Sequence, residues 1–405
     1  MGSHHSLCFQ CKGRNWCGVG QGACPVLARV RSQVNIDKKL SFSRDVFGPC
    51  PPSVFVGDYG WPNVAVGPLV SVNDELNAAA LDDPGKWFDC SYNEIIEFRS
   101  SLARGMKTQH VKARNRVLAD LQESVLSTAP VDFEVRFKNV PRLQLSFSSM
   151  LAPMGPSGEM ESMRVAGAPK IPRKVDSIVN EGLRVSEAVP ELLVAGADYY
   201  YLQKLLSSGL LGREEAKVIV PTRRSITATD SLLANLNIRK IKELPALNEI
   251  LVFSVDHLFN HYVVLLLPGA WEFEQFEAWS PGTVWTGGES ETKIAHEYEP
   301  FWGRSDYAES EGGGYYSGRL ACTELLLKLG RQARVIVFRE IGPEYKVPTG
   351  VWQVREGMRH LADKPPLKAA SLSEALNLLS AMLRVHVSEY VKKSDIIRQK
   401  SLLDY

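Results

Sequence analysis

Four cysteines close together near the start of the chain could bind a metal ion. They are Cys8, Cys11, Cys17 and Cys24, in the spacing C-x2-C-x5-C-x6-C. Four thiolates complete a closed tetrahedral zinc site, and the glycines among them permit the tight turns of a small metal-nucleated module. An iron–sulfur cluster is the alternative, because four cysteines ligate it equally well. The missing Cys-Pro ferredoxin run favours zinc.

A closed four-thiolate site leaves no open coordination position, so its predicted role is structural rather than catalytic. Lys12 and Arg14 lie among the cysteines and offer positive charge to a nucleic-acid backbone. We therefore predict a zinc-binding module over residues 7–52 that can also contact DNA.

A short peptide near the other end of the sequence is typical of proteins that dock on a sliding clamp, the ring that tethers enzymes to DNA. Gln399, Leu402 and Tyr405 form the pattern Q-x-x-L-x-x-Y. The glutamine offers an amide to a polar pocket, and one helical turn brings the leucine and the tyrosine onto a common face for a hydrophobic groove. The second aromatic residue of the full motif is missing, which puts the clamp affinity in question. Residues 393–405 are predicted to be a flexible clamp-binding tail.

Two adjacent arginines, Arg223 and Arg224, are the best candidates for binding an anion. They lie in the segment Pro221–Ser225, which the pattern predicts to be a loop after the short strand Lys217–Val220. Two guanidinium groups beside two hydroxyls suit a phosphate, and loops often carry function. A solvated basic turn is the alternative interpretation.

A Gly-rich loop at Gly57–Gly60 offers Tyr59 and Trp61 for stacking on bases, as does a second loop at Gly312–Gly314 with its two tyrosines. Neither loop matches a phosphate-binding fingerprint, and loop flexibility is the favoured explanation for both.

The sequence contains no complete catalytic set. Glu324, on the predicted helix Leu320–Leu329, is either half of an ion pair or a catalytic acid, and Arg223 and Arg224 are the other candidates. The group Asp256, His257 and His261 is interpreted as ordinary polar residues, because strands flank it and no helical metalloprotease spacing is present. Whether the protein is an enzyme stays open.

The hydrophobic periodicity predicts a mixed α+β body. The predicted strands are Ser53–Val56, Val131–Val140, Leu143–Phe147, Asn248–Val255, Tyr262–Leu267, Trp271–Trp279 and Arg334–Arg339. The predicted helices are Trp87–Gln122, Ile178–Leu183, Glu187–Leu193, Tyr199–Ser207, Leu320–Leu329 and a last one that begins with a capping box at Ser371 and continues to about Lys392. Ala152–Pro172 and Glu309–Gly318 are predicted loops. Residues 53–392 form the predicted main domain, with a division into two lobes near 150–175 as an option.

The composition limits the possible partners. The chain has 405 residues and a formal net charge of +1, so contact with nucleic acid requires a local basic patch or a second protein. No stretch approaches the ~18 apolar residues of a membrane span, and no signal peptide is recognisable. We expect a cytoplasmic protein with no membrane partner, associated with the nucleoid when bound to the clamp.

Together, the four-cysteine module, the segment Val218–Ser225 and the peptide Gln399–Tyr405 resemble the archaeal Nre DNA-repair proteins over essentially the whole chain. The stretches Val54–Val64 and Phe259–Val264 also look like that family. The resemblance implies a protein with a zinc-finger-like module that repairs DNA damage in association with the clamp PCNA, and it supplies no catalytic residues.

We therefore expect a DNA-repair protein that binds PCNA and damaged DNA. The alternatives are a nuclease or nucleotide-using transferase recruited by the clamp, and a non-catalytic adaptor.

Overall fold

The computed structural model describes residues 43–71, 77–142, 155–281, 291–345 and 348–399, together with Cys11, Arg14, Thr283 and Thr286. Within these residues the fold is mixed α+β, as predicted, with two six-stranded sheets. The chain divides into two compact units at Thr229 and Asp230. We refer to the described residues 43–229 as the N-terminal unit and to residues 230–399 as the C-terminal unit. None of the described helices is both long and apolar enough to cross a membrane.

The N-terminal unit is organised around one sheet in the order β1-β5-β6-β4-β3-β2. Its strands are β1 Asp45–Cys50, β2 Val54–Val56, β3 Asn63–Ser71, β4 Leu102–His110, β5 Val131–Phe137 and β6 Ser157–Val165. All pairs are antiparallel except β4 with β6, which is parallel. Along β5 the apolar residues are buried and the charged residues between them are exposed, so this strand has one face in the core and one towards solvent.

The helices of this unit begin at polar caps or at prolines. They are α1 Tyr92–Ser100, α2 Arg116–Leu126, α3 Arg173–Asn180, α4 Val185–Val194, α5 Tyr199–Ser207 and the first residues of α6 Thr222–Ile241. Ser91 caps α1 in a capping box with Glu94, and the Asn115 side chain accepts from Leu118 N at 3.2 Å to begin α2.

Four predictions for this unit were wrong. Trp87–Gln122 is two helices separated by the strand β4, and the predicted loop Ala152–Pro172 contains β6. These strands are poor in β-branched residues, so pairing with their neighbours, rather than local propensity, determines them. Lys217–Val220 is not a strand, and Pro221–Ser225 is not a loop, because α6 begins at Thr222.

The sheet of the C-terminal unit has the order β10-β9-β11-β8-β7-β12. Its strands are β7 Ile250–His257, β8 Asn260–Leu267, β9 Glu272–Trp279, β10 Lys293–Glu299, β11 Arg334–Ile341 and β12 Leu367–Ala369. Only β9 and β11 are parallel neighbours. β8 and β11 are buried along nearly their whole length, which explains their continuous apolar sequences.

Helices cover both faces of this sheet. They are the remainder of α6, α7 Gly313–Leu329, α8 Trp352–Arg359, α9 Leu372–Met382, α10 Val387–Val391 and α11 Asp395–Arg398. One core packs α6, α7 and α8 on the face that carries Tyr262, and a second packs α9 to α11 on the face that carries Phe276. The long final helix predicted from Ser371 ends at Met382, and α7 begins inside the predicted loop Glu309–Gly318.

Candidate functional site

Exposed aromatic and basic side chains meet at one edge of the N-terminal unit. Tyr59 and Trp61 lie in the turn between β2 and β3, and their side chains are 88% and 51% exposed. Arg223 and Arg224 are exposed in the first turn of α6. We call these four residues the aromatic–arginine surface.

Specific contacts bring the turn and the helix together. The Thr222 hydroxyl accepts a hydrogen bond from Val56 N at 3.0 Å, which fixes the start of α6 to the edge strand β2. Asn63 N donates to Gly60 O and closes the turn. Gly60 has a φ of +85°, and a Cβ there would lie 2.6 Å from Asn63 O, so the turn requires glycine at this position.

Arg224 links the basic and aromatic parts of this surface. Its Nε lies 2.9 Å from Asp58 Oδ1, and its guanidinium carbon lies 5.9 Å from the centre of the Trp61 ring. The guanidinium is therefore held over an aromatic face while it stays largely exposed. Such an arrangement can stack a base and contact a phosphate, and the positive end of a helix dipole adds to the attraction.

A second polar group is buried in the C-terminal unit, on the sheet face that carries α7. Arg339 Nη1 donates to Glu277 Oε1 at 2.6 Å, and Arg339 Nε donates to Asn260 Oδ1 at 3.0 Å. Glu277 and Arg339 stand opposite each other at the carboxyl ends of the parallel strands β9 and β11. The carboxyl ends of parallel strands are a common place for ligand sites.

Two buried side chains beside this ion pair make no hydrogen bond of ordinary geometry to any described residue. They are Gln275, which lacks one for both amide atoms, and Glu311, which lacks one for both carboxyl oxygens. We call Gln275, Glu277 and Glu311 the buried acid cluster. Burial raises the pKa of Glu311 well above its usual range and the charge of Glu277 raises it further, while the nearby Gln275 amide opposes the shift. Burial therefore favours the protonated form of Glu311.

Glycines on α7 make room for this cluster. A Cβ at Gly314 would lie 2.3 Å from Glu277 Oε1, and one at Gly318 would lie 2.1 Å from Gln275 Oε1. One helical turn separates the two glycines, so they share a face of α7 and let its backbone approach the polar side chains of β9.

The remaining titratable candidates have structural partners. Asp256 and His261 face each other across the β7–β8 hairpin, with Oδ1 and Nδ1 2.8 Å apart, while His257 is buried and its Nδ1 lies 3.2 Å from Gln353 O. Glu324 accepts two hydrogen bonds from Arg359, each of 2.7 Å. Of the two interpretations of Glu324, the ion pair is the one observed.

The C-terminal segment is attached to β9 and β11. Glu274 is fully buried and accepts from the Ser394 hydroxyl and from Asp395 N, each at 2.5 Å, and His296 Nε2 lies 2.7 Å from the same carboxylate. Glu274, His296 and Asp395 bring three potential ligand atoms within 4.8 Å of one another. The Glu274 carboxylate is therefore already occupied by hydrogen bonds. Through Ser394 and Asp395 it fixes the beginning of α11.

Gln399, the first residue of the clamp-type peptide, contacts the same unit. Arg334 Nη2 donates to Gln399 Oε1 at 2.9 Å and to Ile396 O at 2.8 Å. Leu402 and Tyr405 lie outside the described residues, as do Cys8, Lys12, Cys17 and Cys24. Of the N-terminal candidates, Cys11 is buried and Arg14 is exposed.

The buried acid cluster, Arg339 and Asn260 were not predicted as site residues from the sequence. One signal was present for Glu311, which immediately precedes the glycines at the start of α7. No local pattern connects Glu277 with Arg339, because the pair forms only when distant strands become neighbours.

The whole chain is similar to proteins of one family. Residues 17–286 match the family described as archaeal Nre, N-terminal, and residues 299–405 match archaeal Nre, C-terminal. The protein named DNA repair protein NreB of Archaeoglobus fulgidus is 34% identical over 98% of this chain and 99% of its own length. DNA repair protein NreA of the same organism is 34% identical over 98% of each chain, and NreA of Haloferax volcanii is 31% identical over 86% of each. No solved structure matches.

The fold and its sites thus define a mixed α+β protein with an exposed aromatic–basic surface and a C-terminal segment, residues 394–399, that is attached to the second sheet. The family matches cover most of the sequence, and the relatives align over nearly all of it. The chain belongs to the archaeal Nre family, and the resemblance stated from the sequence is confirmed.

Proposed function

We propose that this protein acts in DNA repair, binding damaged DNA through the aromatic–arginine surface while its C-terminal peptide binds the PCNA sliding clamp. The names of the relatives support the repair role. The observation that carries DNA binding is the position of Arg224 over Trp61, beside the highly exposed Tyr59.

This surface fits unpaired bases better than an intact duplex. Aromatic side chains stack on bases that have left the helical stack, and each such contact is worth ~1–3 kcal/mol. Damaged or branched DNA exposes such bases. The net charge of +1 gives little general attraction, so the local arginines have to supply the phosphate contacts.

Tethering to the clamp compensates for a small DNA-binding surface. A second attachment raises the local concentration of the protein on DNA without any new DNA contact. Gln399, Leu402 and Tyr405 are the proposed clamp contacts, and a protein bound in this way would be found with the nucleoid. In this proposal zinc, held by Cys8, Cys11, Cys17 and Cys24, stabilises the N-terminal module, and Lys12 and Arg14 contribute further DNA contacts.

The DNA proposal is tested by measuring binding to a fluorescent single-stranded oligonucleotide. Tyr59→Ala and Trp61→Ala are expected to weaken binding by about ten-fold each, since a stacking contact is removed. Phe47→Ala is the matched control, because Phe47 is also a largely exposed aromatic residue, on β1 at the opposite edge of the same sheet. Equal affinities for all three variants and the wild type would reject this surface as the DNA site.

The clamp proposal is tested by calorimetric titration of PCNA with the intact chain and with a chain truncated before Gln399. Micromolar binding that disappears on truncation supports tethering. Binding that survives truncation, or that is absent from both chains, rejects it.

One observation favours a second candidate function, an enzyme that processes DNA or uses a nucleotide. It is the presence of Glu311, a buried acid that makes no hydrogen bond of ordinary geometry to any described residue, beside Glu277 and Arg339. An acid of raised pKa next to a carboxylate held in an ion pair is a common arrangement for proton transfer. The adaptor alternative requires neither this cluster nor the aromatic–arginine surface.

The enzyme candidate is tested by incubating the protein with single-stranded, nicked and branched DNA, and separately with ATP. Glu311→Gln is expected to lower any turnover by about two orders of magnitude or more, as loss of a general acid does. Glu324→Gln is the control, because Glu324 is held by Arg359 and should not affect the chemistry. Equal turnover in both variants, or no product from any substrate, removes this candidate.

A further inference from the structure

The segment that leads into the clamp-type peptide is held at both ends. Glu274 fixes the beginning of α11 through Ser394 and Asp395, and Ile396 is buried in the core beside Phe276 and Tyr390. Arg334 fixes the end of the helix by donating to Ile396 O. The peptide therefore starts directly from a packed part of the C-terminal unit.

Gln399 belongs both to this packed segment and to the peptide. Arg334 Nη2 donates to its Oε1 at 2.9 Å, and Arg334 is itself held by Glu272, with Nε and Oε2 3.3 Å apart. In clamp-type peptides the glutamine amide is the polar anchor that enters the partner. One acceptor atom of that anchor is thus already used by Arg334.

The reach of the chain limits where the clamp can lie. An extended chain spans at most ~3.5 Å per residue, so Leu402 lies within ~11 Å of Gln399 and Tyr405 within ~21 Å. A groove that accepts these residues must come close to the surface formed by Arg334, α11 and the edge strand β10. We call this the clamp-facing surface.

We propose that the clamp binds against the clamp-facing surface and that Arg334 competes with it for the side chain of Gln399. This inference rests on the proposed clamp binding. It adds the surface against which the clamp lies and the residue that controls access to the Gln399 side chain. Arg334 is a positioning residue that keeps the peptide on the protein until the clamp replaces its hydrogen bond. Clamp affinity is lower than that of an unrestrained peptide by the strength of this contact.

The test is calorimetric titration of PCNA with the full chain and with two variants at this position. Arg334→Met removes both hydrogen bonds and should tighten clamp binding about five-fold, the equivalent of ~1 kcal/mol for one hydrogen bond. Arg334→Lys keeps the positive charge near Glu272 but lacks the planar guanidinium that reaches both Ile396 O and Gln399 Oε1. Clamp binding should therefore tighten less than in Arg334→Met. Thermal melting of each variant establishes that it is folded.

Arg359→Met is the matched control. Arg359 is also a partly exposed arginine in an ion pair, with Glu324, but it lies on α8 on the other face of the sheet. Its loss should leave clamp affinity unchanged.

The outcomes separate this inference from the proposed function. Tightening in the Arg334 variants alone supports competition for Gln399. Unchanged or weaker binding by folded Arg334 variants, while the wild type binds and truncation abolishes binding, overturns this inference and leaves clamp tethering standing. Absence of binding by the wild type overturns both.

Discussion

Glu277 and Arg339 occupy opposite positions on the parallel strands β9 and β11, and the carboxylate and the guanidinium meet at 2.6 Å under the first turn of α7. Burial by itself lowers the pKa of Arg339, but the charge of Glu277 and other neighbours raises it above the ordinary value, so Arg339 stays charged. Glu311 lies beside this pair, where burial and the charge of Glu277 raise its pKa and the charge of Arg339 opposes the shift.

Glu311 should make the protein less stable as the pH rises. Its folded-state pKa is raised, whereas in the unfolded chain it ionises near ~4.3. Between these two values the folded state holds a proton that the unfolded state has lost, so the free energy of unfolding falls with increasing pH. Glu311→Gln should therefore lose less stability than the wild type between about pH 5 and pH 8, measured by urea denaturation. If the free energy of unfolding depends on pH in the same way in both proteins, the raised pKa of Glu311 is contradicted.

Gly314→Ala should destabilise the protein by ~2–3 kcal/mol, because its new methyl group would overlap Glu277 Oε1, which Arg339 holds in an ion pair. Gly330→Ala is the control. Gly330 has a φ of +65° but no atom within 4 Å of a Cβ, so only backbone strain of ~1 kcal/mol is expected. Denaturant titrations measure both changes, and a smaller loss for Gly314→Ala would show that the cluster adapts.

Asp230→Ala should cost ~3–5 kcal/mol, since it leaves a fully buried guanidinium without its carboxylate. Arg355 Nε and Nη2 donate to the two Asp230 oxygens at 2.8 and 3.0 Å. The comparison is Asp45→Ala, which removes the exposed ion pair with Arg136 and should cost less than ~1 kcal/mol. Similar thermal unfolding midpoints for the two variants would contradict the expectation that losing a carboxylate costs more in a buried ion pair than in an exposed one.

Arg224→Gln should reduce the salt dependence of DNA binding. If Arg224 neutralises one phosphate, the slope of log K against log salt falls by about one unit. Arg136→Gln is the control, because Arg136 makes a comparable exposed ion pair with Asp45 at the other edge of the sheet. Fluorescence titrations at several salt concentrations measure the slope, and equal slopes for the wild type and Arg224→Gln would remove Arg224 from the DNA contacts.

The cysteine module predicts about one zinc ion per chain, bound by four thiolates. Elemental analysis of the purified protein should find zinc, and Cys11→Ser should lower the content, whereas Cys90→Ser should not. Iron with acid-labile sulfide would instead support the iron–sulfur alternative. A protein free of both metals would reject the metal site.

Most of the strands of the C-terminal unit could be predicted from the sequence, because buried strands are marked by continuous or alternating apolar residues. β7, β8, β9 and β11 correspond to predicted strands. β10 was not predicted, and its sequence Lys293–Glu299 alternates too weakly for a clear signal.

In the N-terminal unit, β4 and β6 were also missed. Their polar, Gly-containing sequences become strands only between neighbouring strands.

The structure also brings together residues that the sequence offered only as separate candidates. Tyr59, Trp61 and the two arginines were named as separate candidates, and the link from Thr222 to Val56 unites them. Strand pleating separates the acidic residues of β9. Glu272 and Glu274 lie on one face of the strand and Glu277 on the other, because side chains alternate across a sheet.

By itself, the sequence determined the mixed α+β class, the family, and the residue types suited to metal, DNA and clamp binding. These features depend on residue types and their local spacing, and their chemical properties are known without the fold. Only the tertiary structure decided that Arg224 lies over Trp61, that Glu277 pairs with Arg339 beside Glu311, and that Arg334 holds Gln399. Each of these contacts joins residues more than sixty positions apart, and such distant residues become neighbours only through strand order and helix packing.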